Sequence, residues 1–119
     1  MKKVEATSFV TSYLEAWNER DASSVTEHLC PNGRYIDEVF QQQISREALF
    51  EELIDYFQSD HYFYEVTGDI LTNGKTIAFQ YCAQPMAPDS QKTIWHGAEF
   101  ITLRGGSALE IRDYYQARV

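Results

Sequence analysis

From Tyr62 onward the chain alternates apolar and polar residues with a period of two. The alternation fills four segments, Tyr62 to Leu71, Thr76 to Met86, Lys92 to Leu103 and Ala108 to Tyr115, separated by Asn73-Gly74, Pro88-Asp89-Ser90 and Gly105-Gly106. A period of two is that of an extended strand with its faces differently solvated. Turn chemistry of this kind folds each strand back beside its predecessor. The second half of the chain is therefore expected to form an antiparallel meander, and the rest must cover one of its faces.

The first half supplies the cover. Phe9, Val10, Tyr13, Leu14 and Trp17 recur at helical spacing, which predicts an amphipathic helix over Val4 to Arg20 with an aromatic face. Asp21 is placed to cap a short helix over Ala22 to Leu29, which Cys30-Pro31-Asn32-Gly33 should stop. A strand over Gly33 to Phe40 follows. Ser45 then caps a third helix over Arg46 to Gln58, expected to bury Leu49, Phe50, Leu53, Ile54 and Phe57. With no repeat, linker or low-complexity stretch, residues 1-119 read as one α+β domain, a curved sheet with three helices over one face. A fraction of 44% apolar and 14% aromatic residues, with eight Tyr and seven Phe, suffices for a core and an aromatic-lined pocket and excludes a disordered chain.

Eighteen acids against 10 bases give a net charge of -8, and no basic cluster relieves it, so a nucleic-acid partner is not expected. Glu5 and Glu15 interrupt the region after Met1-Lys2-Lys3, and no apolar run reaches the ~18 residues of a membrane span, which points to no membrane association and a cytoplasmic location. Cys30 and Cys82, distant and without a secretory signal, read as reduced buried thiols.

The acids carry the functional signal. Alternation groups Tyr35 with Asp37, Trp95 and Gly97 with Glu99 and Ile101, and Leu109 and Ile111 with Asp113 and Tyr115. Three carboxylates on apolar strand faces exceed what a sealed core accepts, because an unpaired buried carboxylate costs several kcal/mol or takes up a proton. Salt bridges to Arg34, Arg104 or Arg112 would explain any one of them; an open pocket explains all three. Tyr13 and Trp17, one helical turn apart, would roof it, with Tyr35, Phe57, Trp95, Asp113 and Tyr115 in its wall. Periodicity does not fix which parity meets the helices, and the opposite one would line the pocket with His96 and Phe100 instead. His28, His61 and His96 lack metal-ligand spacing, so no metal is expected.

The run Tyr13-Leu14-Glu15-Ala16-Trp17-Asn18-Glu19-Arg20-Asp21, then Arg34-Tyr35-Ile36-Asp37, Gly97-Ala98-Glu99-Phe100, Gly105-Gly106 and Ile111-Arg112-Asp113-Tyr114-Tyr115 resembles the nuclear transport factor 2-like superfamily, in particular its SnoaL-like and ketosteroid isomerase-like branches. The resemblance covers nearly the whole chain. It implies a single SnoaL-like domain with the cone-shaped, cystatin-like α+β roll around an internal pocket. It also implies that Tyr13 stands where the isomerases carry a tyrosine donor to the substrate oxygen, Asp37 where they carry the proton-shuttling base, and Glu99 where they carry a protonated aspartate as second donor. Glu at position 99 and Glu38 in place of the usual proline depart from that pattern and count against a true steroid substrate.

The borrowed roles also make chemical sense. Removing a proton beside a carbonyl needs a positioned base, and the enolate needs donors in a site that excludes water. Asp37 would be the base, with Tyr13 and a neutral Glu99 the donors, acting without a cofactor on a small apolar or carbonyl-containing molecule as an isomerase or aldol-type cyclase. The competing reading is a non-catalytic ligand-binding or dimerisation module. A homodimer is expected through the sheet face opposite the pocket, with Tyr64, His96 or Tyr114 as candidate contacts.

Overall fold

A computed structural model describes residues 1–86 and 92–118. Along the chain run α1 (Lys3–Asn18), α2 (Ala22–Glu27), β1 (Leu29–Asp37), β2 (Gln42–Ser45), α3 (Arg46–Ser59), β3 (Tyr62–Val66), β4 (Leu71–Thr72), β5 (Thr76–Pro85), β6 (Trp95–Arg104) and β7 (Ser107–Ala117). The fold is α+β, a curved, unclosed sheet with three helices. The expected Pro88-Asp89-Ser90 turn lies outside the described residues.

The caps act as expected. The Asp21 side chain accepts from the Ser24 amide at 3.1 Å and Ser45 Oγ from the Ala48 amide at 3.2 Å. Helix α1 buries Ala6, Val10, Tyr13, Leu14 and Ala16, and α3 buries Leu49, Leu53 and Phe57, whereas Ile54, expected inside, is exposed because its turn of α3 points away from the sheet.

Strand order is β2-β1-β7-β6-β5-β3, with β4 on β5. Strands β3, β5, β6 and β7 form the antiparallel meander, but β1 joins β7 in parallel. Three boundaries differ from the sequence expectation. Strand β1 starts at Leu29 and runs through an irregular register between Leu29 and Arg34, so Cys30-Pro31-Asn32-Gly33 bends the strand rather than preceding it. It ends at Asp37, not Phe40, because Asp37 Oδ1 accepts from the amides of Val39 and Phe40 at 3.0 and 3.1 Å and turns the chain into the unexpected strand β2. The segment Tyr62 to Leu71 breaks after Val66, near Gly68, whose φ of 108° suits glycine.

Pairing lines the concave face in rows. Tyr35, Ile111, Ile101 and Ile77 make one row across β1, β7, β6 and β5; Asp37, Asp113, Glu99 and Phe79 make the next; Tyr115, Gly97 and Tyr81 make a third. The three isoleucines of the first row are sealed in the core. Strand β1 ends at the second row, so the third has no neighbour on that side.

At the edge of the sheet, Asn18 at the end of α1 behaves like an extra strand residue. Its Oδ1 accepts from the Tyr64 amide at 2.7 Å and its Nδ2 donates to the Tyr64 carbonyl at 3.0 Å. Replacing Asn18 with Ala removes both bonds and should lower unfolding stability by about 2 kcal/mol, at roughly 1 kcal/mol per bond. A denaturant titration checks this, and an unchanged midpoint would mean that water replaces the clamp at no cost.

Candidate functional site

Between the concave face, α1 and α3 lies a cavity of about 580 Å³. Of the residues expected in its wall, Trp17, Tyr35, Asp37, Trp95, Glu99, Asp113 and Tyr115 line it. Two do not. Phe57 is buried behind Trp17, with ring centroids 5.6 Å apart, because the larger indole covers it. Tyr13 is wholly buried behind the wall, stacked between Phe9 and Trp17, and its hydroxyl has no partner. The parity question is settled: Glu99 is 5% exposed and faces inward, while Phe100 is 43% exposed. His96 bonds Gln116 at 2.8 Å, away from the cavity.

Asp113 is the centre of the site. One of its oxygens accepts from the Tyr35 hydroxyl and the other from the Tyr81 hydroxyl at 2.7 Å. Tyr81 stands on β5 and Asp113 on β7, so the tyrosine ring must cross β6. It does so over Gly97, where a Cβ would lie 2.9 Å from the tip of Tyr81 and 2.3 Å from the Tyr114 carbonyl oxygen. Any other residue at 97 would push the ring away from Asp113 or part the strands. Beside Asp113, Asp37 accepts from the Tyr115 hydroxyl at 2.8 Å in addition to its two backbone bonds.

Among the described residues none of the three acids is ion-paired. Arg34 meets Glu110 at 3.0 Å, and Arg112 meets Glu38 at 2.8 Å and Glu110 at 2.7 Å, so the salt bridges form without them. The physical consequence is protonation. Burial, and secondly the Asp113 charge, hold the Glu99 carboxyl well above the usual carboxylate range. Asp113 is pushed up to about 6 by burial, against the lowering effect of the Tyr35 and Tyr81 hydrogen bonds. Burial also raises Tyr35, Tyr64, Tyr81 and Tyr115, which keeps these phenols neutral. One oxygen of Glu99 and the Trp17 Nε1 are buried without a partner.

Sequence reasoning missed Tyr56, Tyr64 and Tyr81 in the wall. Tyr64, expected outside as a dimer contact, lies inside, where its hydroxyl bonds that of Tyr56 at 2.6 Å. The signal for Tyr81 was Gly97, since a glycine inside a strand marks the close approach of something else.

The sequence model of the SnoaL-like domain matches residues 10–111. No curated protein matches by sequence. Among solved structures, a candidate ketosteroid isomerase from Kribbella flavida superposes with a TM-score of 0.80 at 15% identity, covering 98% of this chain and 82% of that one. A candidate polyketide cyclase from Xanthomonas campestris gives 0.75 at 20% identity, covering 96% and 92%. A protein with a ketosteroid isomerase-like fold from Catenulispora acidiphila, solved with trimethylamine, gives 0.78 at 15% identity, covering 91% and 85%. At these identities the likeness is one of fold.

The raised carboxyls set a pH dependence. In the unfolded chain Asp and Glu titrate near pH 4, roughly two units below folded Asp113, so the folded state binds more protons between those values. The stability this supplies is complete below about pH 4 and is lost as pH rises through about 6. The melting temperature should therefore fall between pH 5 and pH 7.5, with Asp113 contributing about 1 kcal/mol over that interval, and Asp113→Asn should flatten that slope. Thermal melts at the two pH values check it; a melting temperature that rises over the interval would place ionised acids in the folded site.

Proposed function

We propose that this chain, which belongs to the SnoaL-like domain family, is a small-molecule pocket protein that moves a proton beside the carbonyl of a largely apolar substrate without a cofactor. The observation that carries this reading is Glu99: a carboxyl held neutral by burial, on the cavity wall, with an oxygen that bonds nothing in the protein. A neutral acid in that position is a hydrogen-bond donor waiting for an acceptor.

Asp37 takes the proton. It sits one strand beyond Asp113 while Glu99 sits one strand before it, so their backbones are roughly 10 Å apart at one strand spacing per step. A substrate lying across Asp113 meets the base at one end and the acid at the other. The carbon–hydrogen pair collapses toward the carbonyl, Glu99 donates to the developing enolate oxygen, and Asp37 returns the proton at a different carbon. Tyr13, the expected second donor, has an unpartnered hydroxyl but lies behind the wall, so a substrate oxygen reaches it only where the wall yields at Trp17. One observation favours a ligand-binding module instead: Asp37 already accepts three hydrogen bonds, so its oxygens are engaged by the protein rather than turned to a substrate.

Two variants separate the readings. Asp37→Asn keeps an oxygen for the Val39 and Phe40 amides, so the fold persists while the deuterium exchange of an apolar ketone such as 2-tetralone slows by about 10² to 10⁴. Tyr13→Phe removes a buried hydroxyl that stabilises nothing, so stability holds or rises while the rate falls by about 10². NMR of the exchanging α-protons gives both rates, and no acceleration by the native protein over buffer leaves the ligand-binding reading alone.

We also propose a cytoplasmic homodimer joined through the outer sheet face. The unpaired, buried Cys30 and Cys82 suit a reducing compartment. The ring pair Phe100 and Tyr114, 5.9 Å apart and 43% and 44% exposed, gives a second copy an apolar surface to cover. Sedimentation at micromolar concentration should give a dimer, and Phe100→Glu a monomer.

A further inference from the structure

The walls and the charge of the cavity do not match a purely neutral ligand. Trp17 forms one aromatic wall with Tyr64 and Tyr56, at ring distances of 5.3 and 6.3 Å, and Trp95 with Tyr115 forms another at 5.7 Å. Asp37, Glu99 and Asp113 stand between them, and Glu52 and Asp60 line the same cavity. Among the described residues the one basic side chain in the lining is Lys92, already paired with Asp60 at 3.4 Å.

We propose that the ligand of this cavity carries a cationic amine, seated against Asp113 with the aromatic rings around it. The inference rests on the reading of the cavity as a small-molecule site, and it names the class of molecule; it does not depend on proton transfer.

Four observations converge on it. A carboxylate or phosphate ligand would meet a set of acids with no free guanidinium or ammonium to receive it. A neutral ligand would strip water from the half-buried Asp37 and leave the buried Asp113 without a counter-charge, whereas a cation supplies one. The faces of Trp and Tyr rings carry negative potential and attract ammonium groups. The Oε1 of Glu99 is buried without a partner, and as the carbonyl oxygen of a neutral carboxyl it can accept from an ammonium N–H. Tyr35, Tyr56, Tyr64, Tyr81 and Tyr115 line the same cavity as Asp113, so a cation beside it also meets these rings. Glu99 remains neutral in such a complex, because burial is the larger cause of its protonation. Binding does favour the ionised form of Asp113, and so releases a proton near pH 6.

The test compares three probes of one shape by NMR titration: the benzyldimethylammonium cation, its neutral carbon analogue isobutylbenzene, and phenylacetate. At pH 7.5 the cation should bind about tenfold more tightly than isobutylbenzene, with phenylacetate weakest, and the advantage should shrink at pH 5. Asp113→Asn should remove the preference of the cavity for the cation over isobutylbenzene. Should that variant fail to fold, calorimetry of the native protein at pH 6 in two buffers of different ionisation enthalpy reads the released proton directly. Equal affinity for the cation and isobutylbenzene, or no proton release, overturns the inference while the small-molecule site stands. Failure of all three probes to bind overturns both.

Discussion

The site depends on one registration: Asp37, Asp113 and Glu99 opposite one another on three adjacent strands. A row of isoleucines below it can be sealed, and is. A row of carboxyls cannot, because each needs hydrogen bonds, a proton or water, and no arginine reaches it. The cavity lies against this row. Asp113 takes the two tyrosine hydroxyls that make its burial tolerable, and one of them is available only because Gly97 leaves β6 bare for the Tyr81 ring to cross.

Every base near the row is engaged elsewhere. Arg34 and Arg112 bridge Glu110 and Glu38, and Tyr114 adds its hydroxyl to Glu38 at 3.0 Å. Had one of these arginines pointed inward, an ordinary buried ion pair would have satisfied Asp113 and filled the space. The site instead retains polar groups that the protein leaves unsatisfied, on Glu99, Tyr13 and Trp17, from three separate positions on α1 and β6. Native interiors leave few such atoms, and two of these three belong to residues that line the cavity, Trp17 and Glu99.

The scaffold is shared with proteins of 15% to 20% identity whose names range from isomerase to cyclase, so fold carries little about chemistry. The cavity of this chain sets aromatic walls around two buried acids, one of them neutral, and a half-buried third, and among the described residues its one basic side chain is a lysine tied to Asp60. That balance bears on the charge of the ligand more directly than on the reaction.

The sequence by itself determined the elements and their faces. Period-two alternation, the Asp21 and Ser45 caps and the glycine turns are local, so they specify strands, helices and which side chains travel together without reference to the rest of the chain. It also grouped each acid with apolar neighbours, which is why Asp37, Glu99 and Asp113 were legible as candidates. Only the tertiary structure decided which face turned inward, since alternation is the same read from either side. It alone decided that the three acids fall in one row, because register across strands is set by pairing, and β1 pairs with β7 in parallel across most of the chain's length. It also moved Phe57 and Tyr13 behind the wall and brought Tyr64 and Tyr81 into it. Those placements follow from the size of Trp17 and the missing side chain of Gly97, and packing between elements distant in sequence leaves no local pattern to read.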